Sequence, residues 1–295
     1  MYTLCRYSVN SEYNLLKAVL LHKPGPEIEE FDNPEGVLYV RKIDYKIIEK
    51  EYEQIIEMYK KLKIKVYLID ANRIDGGDKR YLFNMMYTRD LLFMTPEGAI
   101  ISKMAHDVRQ DEVKYAERTL RSIDIPIRKT IEGSRTFEGA DALWVNDRLV
   151  IIGVGNRTNV EGFSQIRDEL KLTGVRCISV PAPQDTLHLL GAVQFVDSDL
   201  ALVRIDSVGL EIIGFLKRNK IKIVNIPEND EIKERQAMSI VAIAPKEIIM
   251  PADCPKTKKI YQSYGIKIAA EVKISQLING GGGLACATAI IARAI

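Results

Sequence analysis

Cys286 follows four consecutive glycines, within the run 279–288. Glycine has no side chain and loses the most backbone freedom on folding. Such a run is therefore costly unless the backbone takes unusual dihedral angles or approaches another group closely. A thiol presented by this loop is a candidate nucleophile, because nearby cations favour the reactive thiolate over a thiol with an ordinary pKa of about 8.5. The glycine run predicts that Cys286 is reactive.

Three other side chains could supply the rest of such a site. His188 can move protons to and from a leaving group, and Glu138 can orient the imidazole or bind a cation. Asp90 adds a second carboxylate. A guanidinium presents a fixed fork of donors that carboxylates match bidentately. Two carboxylates beside a cysteine and a histidine therefore suit a planar, positively charged substrate.

Two arginines occupy comparable places in the sequence and could hold the other end of a substrate. Arg109 and Arg157 each follow a predicted hairpin and precede a predicted helix. Either one could instead be a solvated surface arginine. We predict that together they bind the carboxylate of an amino acid, while the two carboxylates hold its cationic end.

Each candidate also has a structural alternative. A lone cysteine is usually a small buried hydrophobe. His188 stands in an apolar stretch and could be a core histidine, and Asp90 could pair with Arg89 or cap a turn. Asp141 is predicted to form hydrogen bonds within its own turn. The remaining cysteines and histidines are predicted to be non-catalytic: Cys5, Cys177, Cys254, His22 and His106.

The elements that would position these side chains recur along the chain. Two short apolar runs around a turn, then a helical stretch and a further apolar run, appear four times, with hairpin turns roughly 50 residues apart. The hairpins begin near positions 91, 140, 191 and 239, and the strands predicted after the helices include 123–127 and 265–272. Asp90, Glu138 and His188 each stand just before one of the first three hairpins. Equivalent positions in a ring lie at one end around one axis, so the repeat predicts that these side chains converge.

The N-terminal segment holds only part of such a unit. It reads as a strand over 16–22, a helix over 45–62 and a strand over 63–69. The missing strand is predicted to be the C-terminal one, 287–292. This predicts an α/β fold of five ββαβ-like units, a five-bladed propeller closed by pairing of the N- and C-terminal strands. An open α/β sheet is the alternative, although the absence of a Gly-rich strand-to-helix turn weakens a dinucleotide-binding fold.

Composition limits the class of protein. Of the 295 residues, 46% are hydrophobic and 28% charged, with a formal net charge of +2. We predict a single propeller domain over residues 1–295. The charge balance argues against a nucleic-acid partner. No apolar run approaches the roughly 18 to 20 residues of a membrane helix, and no signal peptide is visible, so we predict a cytoplasmic protein. The scattered cysteines predict free thiols and no metal site.

Five stretches of the sequence occur in an order typical of one enzyme superfamily. They are 84–90, 137–141, 156–159, 187–188 and the glycine run that leads to Cys286. These motifs span most of the chain and resemble the guanidine-modifying enzyme superfamily, which includes arginine deiminase, dimethylarginine dimethylaminohydrolase and the amidinotransferases. The resemblance also implies a five-bladed α/β propeller.

The resemblance assigns roles to individual residues. It implies that Cys286 is the nucleophile, that His188 is the general acid and base, and that Glu138 and Asp90 bind the guanidinium. By position, Arg109 and Arg157 resemble the family's carboxylate-binding arginines, and Asn84 is a further predicted substrate-binding residue.

The implied reaction needs neither a metal nor an organic cofactor. The Cys286 thiolate attacks the guanidinium carbon, and His188 protonates the departing ammonia or amine. Water activated by His188 then hydrolyses the covalent intermediate. The predicted partner is a small guanidino amino acid, either free arginine or an N-methylated arginine, and the product is citrulline.

Two departures from the motifs leave the substrate open. Arginine deiminases typically carry an aspartate two residues after the histidine, where this chain has Leu190. Losing that ligand leaves apolar room for an alkylated guanidine. Asn84, by contrast, matches the arginine deiminases, whereas bacterial dimethylarginine hydrolases tend to carry aspartate there. The compact length is closer to the dimethylarginine enzymes, so both substrates remain alternatives.

Two other functions fit part of the pattern. An amidinotransferase would use the same cysteine but pass the amidino group to an amine. A ribosome-binding factor would share the propeller without the catalytic set. The joint presence of Asp90, Glu138, His188 and Cys286 argues against that second function. The sequence leaves open a homodimer and a lid formed by residues 27–39.

Overall fold

The computed structural model describes residues 7–31, 33–70 and 82–295. Within these residues, fifteen strands form five three-stranded sheets. The strands are β1 (Leu16–Leu21), β2 (Lys65–Leu68), β3 (Leu92–Thr95), β4 (Gly98–Ile101), β5 (Ile127–Thr130), β6 (Ala142–Asn146), β7 (Leu149–Val154), β8 (Arg176–Pro181), β9 (Val193–Asp197), β10 (Leu200–Val203), β11 (Lys222–Asn225), β12 (Val241–Ala244), β13 (Glu247–Pro251), β14 (Lys267–Val272) and β15 (Ala289–Arg293). The α-helices are α1 (Tyr45–Lys61), α2 (Glu112–Ser122), α3 (Val160–Lys171), α4 (Leu210–Arg218), α5 (Asp230–Arg235), α6 (Pro255–Ser263) and α7 (Ser275–Asn279).

The sheets share one internal order. In the sheet of β6, β7 and β8, the first two strands form an antiparallel hairpin, and β8 lies parallel to β7 after the crossover helix α3. A short turn can join antiparallel strands, whereas parallel strands need a crossover of a dozen or more residues, usually through a helix. The sheets β3–β5, β9–β11 and β12–β14 follow the same rule. The predicted repeat is confirmed.

The remaining sheet joins the two ends of the described chain. β15 pairs antiparallel with β1, placing Leu16 opposite Arg293 and Leu20 opposite Ala289. β2 lies parallel to β1 after the crossover helix α1. The C-terminal strand is therefore the missing hairpin partner of the N-terminal segment. This pairing confirms the prediction of a five-unit propeller closed through its chain ends.

The hairpin strands form the interior, and the helices cover the outside. Every residue of β3 and β4 is buried, whereas β5 at the outer edge is only half-buried. Helix α1 buries Ile48, Tyr52 and Ile55 on one stripe, as expected for a helix with one face on a core. Among the described residues, no helix is both long and apolar enough to cross a membrane.

Two strand boundaries differ from the sequence-based expectation. The apolar run 123–127 was expected to be a strand, but β5 begins only at Ile127. Asp124 has a φ of 61°, because the chain turns sharply after α2 before it can extend. The strand expected over 265–272 likewise begins at Lys267. Gly265 has a φ of 75° and ends the preceding helix in the left-handed region.

Candidate active site

The predicted reactive side chains stand on short turns that lead into inner strands. Asp90 precedes β3, Glu138 precedes β6 and His188 precedes β9. Cys286 lies just before β15. Turns of neighbouring units pack directly against each other. The structure therefore brings together side chains from four units at one end of the propeller, as the repeat predicts.

An imidazole lies between two carboxylates at the centre of this end. His188 Nε2 is 2.6 Å from Glu138 Oε2, and its Nδ1 is 3.8 Å from Asp90 Oδ1. Glu138 Oε1 accepts a hydrogen bond of 3.1 Å from the Ala105 amide. All three titratable side chains are buried. Because water is excluded, their charges interact more strongly than they would at the surface.

Burial and pairing set the ionisation of this cluster. Burial alone would lower the pKa of His188, but Asp90, Glu138 and Asp141 outweigh it and raise the pKa to about 9. Burial would raise the pKa of Glu138, but the hydrogen bond and charge of His188, with help from Arg109, lower it to about 2. At neutral pH the pair is an imidazolium and a carboxylate.

Arg109 lies against the reactive carboxylates. Its Nη1 donates to Asp90 Oδ2 at 2.6 Å, its Nε to Glu112 Oε2 at 2.9 Å and its Nη2 to the Asn84 carbonyl at 3.2 Å. Burial opposes its charge, but Glu112, Asp90 and Glu138 outweigh burial and raise its pKa further. Arg109 is paired with Asp90 here, and its predicted role in binding a substrate carboxylate stays a prediction. A buried carboxylate needs a counter-charge, and Arg109 supplies it directly.

Arg157 also reaches the cluster, although more loosely. Its Nη1 is 3.5 Å from Glu138 Oε1, and its side chain is partly exposed in the cleft. The loop that carries it is held in place by Asn159, whose Oδ1 caps α3 and accepts from the Thr136 amide at 3.1 Å. Thr158 Oγ1 accepts from the Glu138 amide at 3.3 Å. These bonds fix the Arg157 loop to the chain segment that presents Glu138.

Asn84 lines the cleft, and its side-chain and backbone N–H groups are bonded to protein. Its side-chain amide donates to the Val37 carbonyl at 2.8 Å, and its backbone amide donates to Glu112 Oε1 at 2.9 Å. Burial raises the pKa of Glu112 to about 7, against the opposing effect of Arg109. Asn84 therefore ties the 27–39 segment to the Arg109 cluster.

Cys286 is half-buried and faces the same cleft. Burial and the charge of Asp90 raise its pKa to about 11, although hydrogen bonds with the Gly283 backbone and Ser239 and the charge of Arg109 act in the opposite direction. The thiol is therefore protonated at neutral pH in this arrangement. An additional positive charge in the cleft would favour the thiolate.

Close packing against Tyr87, as well as access to the cleft, explains the glycine run. A Cβ on Gly280 would lie 2.3 Å from Tyr87 Oη, and one on Gly282 would lie 2.4 Å from Tyr87 Cε1. Gly281 has a φ of 96°, which side-chain-bearing residues rarely adopt. Tyr87 Oη donates to the Leu277 carbonyl at 2.7 Å and accepts from the Gly282 amide at 3.2 Å. The loop before Cys286 thus packs directly against the Tyr87 side chain.

The cleft in front of these side chains has a volume of about 560 Å³. This lies within the range typical of small-molecule sites, roughly 300 to 1,000 Å³. Leu38, Leu187 and Leu190 give it apolar walls, and Gly280 and Gly282 line it with backbone. Leu38 contributes to the cleft from the 27–39 segment. A lid role for this segment stays a prediction.

The Asp141 side chain bonds outside its own turn, once within its unit and once to the next unit. Its Oδ2 accepts from Thr158 Oγ1 at 2.7 Å, and its Oδ1 accepts from the Leu189 amide at 3.0 Å. Burial raises its pKa to about 6. The sequence-based expectation for Asp141 was wrong, because the side chain lies where its unit meets the turn that follows His188.

The contacts of the other candidate residues show which structural role each one has. Arg89 pairs with Glu12 at 2.9 and 3.0 Å, so it does not neutralise Asp90. His22 is buried and burial lowers its pKa to about 4, while exposed His106 caps a turn through Nδ1. Among the described residues, the free cysteines are Cys177, Cys254 and Cys286, and Cys5 lies outside them.

Several residues that contact the site or line its cleft were not identified from the sequence. Glu112 stands three residues after Arg109, a spacing at which helical side chains meet, and it fixes that arginine. Ser239 begins the fourth hairpin, the position equivalent to the reactive residues, and its Oγ accepts from the Ala285 amide at 2.9 Å. Arg204 follows the third hairpin as Arg109 and Arg157 follow the first two. The repeat could have indicated both Ser239 and Arg204.

One group of side chains has the spacing of a metal site. Asp90, Glu138 and His188 offer ligand atoms within 4.8 Å of one another. Arg109 already pairs with Asp90, however, and a His188 whose pKa is about 9 is protonated at neutral pH. A protonated imidazole has no lone pair for a metal. In this ionisation state His188 offers no free ligand atom to a metal ion.

The five-unit propeller with a cysteine-containing cluster at its mouth is the arrangement that the resemblance to the guanidine-modifying superfamily implies. Among solved structures, DDAH from Pseudomonas aeruginosa complexed with citrulline matches with a TM-score of 0.74 at 21% identity, covering 93% of this chain and 98% of that chain. The substrate-bound N-terminal domain of ArgZ, an arginine dihydrolase from cyanobacteria, gives a TM-score of 0.78 at 17% identity, covering 94% and 98%. At these identities the likeness shows the fold.

The sequence comparisons define the family. An arginine deiminase of Listeria innocua is 26% identical over 88% of this chain and 75% of its own length. The family model described as N,N dimethylarginine dimethylhydrolase, eukaryotic, matches residues 36–293. The chain therefore belongs to this family, whose members are hydrolases that act on C–N bonds of linear amidines.

Proposed function

We propose that this protein hydrolyses the guanidinium group of free arginine or N-methylated arginine to citrulline and ammonia or methylamine, through a covalent intermediate on Cys286. The observation that carries the proposal is the meeting of Asp90, His188 and Cys286 at one cleft, with the buried Glu138 bonded to His188. Residues 1–295 would act as one catalytic domain in the cytoplasm, and the partner is a small guanidino amino acid.

Asp90 and Glu138 bind the guanidinium in this proposal. Asp90 Oδ1 is buried and has no hydrogen-bond partner among the described residues, which supports its use as an acceptor for a substrate N–H. A buried acceptor without a donor costs free energy, and a guanidinium that donates to Asp90 Oδ1 would satisfy it. Arg157 lies beside Glu138 and would contact the same substrate.

The protonation states of Cys286 and His188 support a nucleophile that becomes reactive when the substrate binds. The pKa of Cys286 is about 11 partly because of the negative charge of Asp90. A guanidinium bound at Asp90 neutralises that charge and lowers the pKa of the thiol, so that the thiolate attacks the guanidinium carbon. His188, whose pKa is about 9, then protonates the departing nitrogen. The neutral imidazole takes a proton from the water that attacks the intermediate, the C–S bond then breaks, and Cys286 leaves as the thiolate.

Leu190 supports an N-methylated arginine as one of the two substrates. It lies in the cleft wall two residues after His188, where the arginine deiminase pattern has a carboxylate. An apolar wall tolerates an N-methyl group, which a carboxylate would leave without a hydrogen-bond partner. Asn84 matches the arginine deiminase pattern, so the proposal keeps both substrates.

The test is turnover of L-arginine, N-methylated L-arginines and agmatine, with the ureido product and the released amine both measured. We expect citrulline from at least one arginine, no activity from Cys286→Ser, and retention of activity by Cys177→Ser, in which another free cysteine is changed. Mass spectrometry of the acid-quenched enzyme should show, on the peptide that contains Cys286, the added mass of the substrate less the released ammonia or methylamine. Product formed only when an acceptor amine is added would indicate an amidinotransferase. No turnover and no adduct would refute the proposal.

A further inference from the structure

A second cavity lies inside the propeller, behind the reactive cleft. It has a volume of about 20 Å³ and is lined by residues of the inner strands β6, β9, β12 and β15. Leu190 lines both spaces, but the charged residues of this cavity, Glu12, Arg89 and Arg293, do not line the cleft. Roughly 10 to 15 Å³ is enough for one water molecule, so the cavity has room for a single small species. It is therefore a site separate from the cleft.

The charges that line this cavity do not balance. Both oxygens of Glu12 accept from Arg89 Nη2, at 2.9 and 3.0 Å. Arg293 adds a second buried guanidinium, and among the described residues no other acidic or basic side chain lines the cavity. Two cations therefore face one carboxylate. Because a buried charge costs free energy unless it is paired, the excess positive charge favours a bound anion.

The Arg293 side chain has an unused donor for such an anion. Its Nη1 donates to the Asn14 carbonyl, and its Nη2 donates to the Ala242 carbonyl at 2.9 Å. Its Nε is buried and has no hydrogen-bond partner among the described residues. Burial, with help from the charge of Arg89 and against the effect of Glu12, lowers the pKa of Arg293 to about 10, so the guanidinium is charged at neutral pH. An anion at Nε would satisfy this donor with a charge-assisted hydrogen bond.

The position of Arg293 connects this cavity to the closure of the ring. Arg293 is the last residue of β15 and lies opposite Leu16 of β1. Its side chain also reaches β12 of the neighbouring unit through Ala242. Arg89 approaches the cavity from the turn before β3. A ligand that offsets the repulsion between the two guanidinium groups would therefore stabilise the pairing of the chain ends.

We propose that this cavity binds one small monovalent inorganic anion, of the chloride class, at Arg293 Nε, and that the bound anion stabilises the closed propeller. One negative charge balances the two arginines and Glu12. A cavity of about 20 Å³ excludes a guanidino amino acid and other organic anions of that size. The inference does not depend on the proposed hydrolase function, because none of the three charged residues lines the reactive cleft.

Thermal unfolding at increasing chloride concentration tests the site. An anion that binds only the folded state stabilises it by mass action. The unfolding midpoint should therefore rise by about 2 to 4 °C for each tenfold increase in sodium chloride above half-saturation. Sodium gluconate at the same ionic strength controls for screening of surface charges, since its anion is too large for the cavity. An equal rise with both salts, or no rise with chloride, would refute the proposal.

Two substitutions should change the chloride dependence in opposite directions. Arg293→Met removes the donor and one cation, so it should abolish the dependence. Glu12→Gln removes the negative charge of the cavity, so it should lower the half-saturating chloride concentration at least about tenfold. Arg128→Met changes a half-buried ion pair with Glu169 outside the cavity and should keep the wild-type dependence. An Arg293→Met protein with the full chloride dependence would contradict the assigned donor.

Anomalous scattering from wild-type crystals soaked in sodium bromide decides the question if Arg293→Met does not fold. We expect a bromide peak in the cavity, within hydrogen-bonding distance of Arg293 Nε. An ordered water at that position without a bromide peak, or bromide only at surface sites, would overturn the inference. Neither measurement involves turnover, so the anion site and the hydrolase function can fail independently.

Discussion

Nε2 of His188 lies 2.6 Å from Oε2 of Glu138, a residue 50 positions earlier in the chain. The other ring nitrogen, Nδ1, faces Asp90 Oδ1 at 3.8 Å. An imidazole held between two buried carboxylates is stabilised as the imidazolium, which is why the pKa of His188 rises to about 9. At neutral pH the His188 ring is therefore protonated and can act as a proton donor.

Replacing His188 should change how stability depends on pH. The pKa of this imidazole is about 9 in the folded protein, above its unfolded value near 6.5, so its charged form stabilises the fold. That contribution is complete below about pH 6.5 and is lost as the pH rises through 9. We expect His188→Gln to lower the free energy of unfolding by on the order of 3 kcal/mol at pH 6, and by much less at pH 9.5. Chemical denaturation of both proteins at each pH measures this.

The exposed His106 provides the control for that measurement. His106→Gln alters a turn cap on the surface and should change stability by no more than about 0.5 kcal/mol at either pH. A difference between wild type and His188→Gln that is the same at pH 6 and pH 9.5 would contradict the paired imidazolium.

Labelling of Cys286 should depend on the charge of the reagent. Its pKa is about 11, so a neutral haloacetamide should react slowly at pH 7 and faster as the pH rises. A cationic haloacetamidine should react at least about tenfold faster at pH 7, because its charge beside Asp90 favours the thiolate. Peptide mapping after timed labelling gives both rates.

Two other thiols serve as internal controls for the labelling. Burial raises the pKa of Cys177 and of Cys254 to about 12, and neither lies in the cleft. Both should remain unmodified with either reagent. Equal labelling of Cys286 by the neutral and cationic reagents would show that bound positive charge does not activate this thiol.

Gly282→Ala should impair both stability and catalysis. The added Cβ would lie 2.4 Å from Tyr87 Cε1, so either the ring or the loop before Cys286 must move. We expect a loss of about 1 to 3 kcal/mol in unfolding free energy, the usual cost of overpacking. A displacement of about 1 Å at the thiol should lower kcat by about 100-fold. Thermal unfolding and turnover measure the two effects.

Gly36→Ala is the matched comparison, because a Cβ there meets nothing within 4 Å and the residue has no positive φ. It should retain the stability and the turnover of the wild type. Gly282→Ala with unchanged stability and kcat would mean that Tyr87 does not set the path of the glycine run.

Leu190→Asp should shift the preference between substrates. A carboxylate at this point of the cleft wall would accept from an unsubstituted guanidinium N–H, whereas an N,N-dimethylated nitrogen would leave it unpaired. We expect the ratio of kcat/KM for L-arginine over N,N-dimethyl-L-arginine to rise about tenfold or more. Leu190→Asn has nearly the same shape without the charge and should give a smaller change. If both variants gave the same ratio, the carboxylate itself would not be the discriminating group.

Much of the architecture was predictable because it follows from local pattern. The recurrence of hairpin, helix and strand fixed the unit, and the incomplete N-terminal unit indicated that β15 must pair with β1. Strand starts were less predictable: Asp124 and Gly265 take left-handed backbone conformations, so each following strand begins later than its apolar run. An apolar run indicates burial, but the way the preceding helix ends decides whether the first residues of that run form a turn.

The electrostatic partners were not predictable from spacing. Asp90 stands next to Arg89 in sequence but pairs with Arg109, while Arg89 pairs with Glu12 across the interior. Neighbouring residues on a turn point in different directions, so the contacts of each depend on which side chains the other units place nearby. Glu228 and Arg204 are separated by 24 positions and meet at 2.6 Å for the same reason.

The sequence by itself determined the repeating unit, the closure of the ring and the placement of Asp90, Glu138, His188 and Cys286 before inner strands, because each depends on local hydrophobic pattern and on equivalence between repeats. Only the tertiary structure decided their ionisation. An imidazolium with a pKa near 9 and a thiol with a pKa near 11 arise from burial and from charges a few ångströms away. These distances exist only once separate units are packed around one axis, since Coulomb energy depends on separation in space and not along the chain.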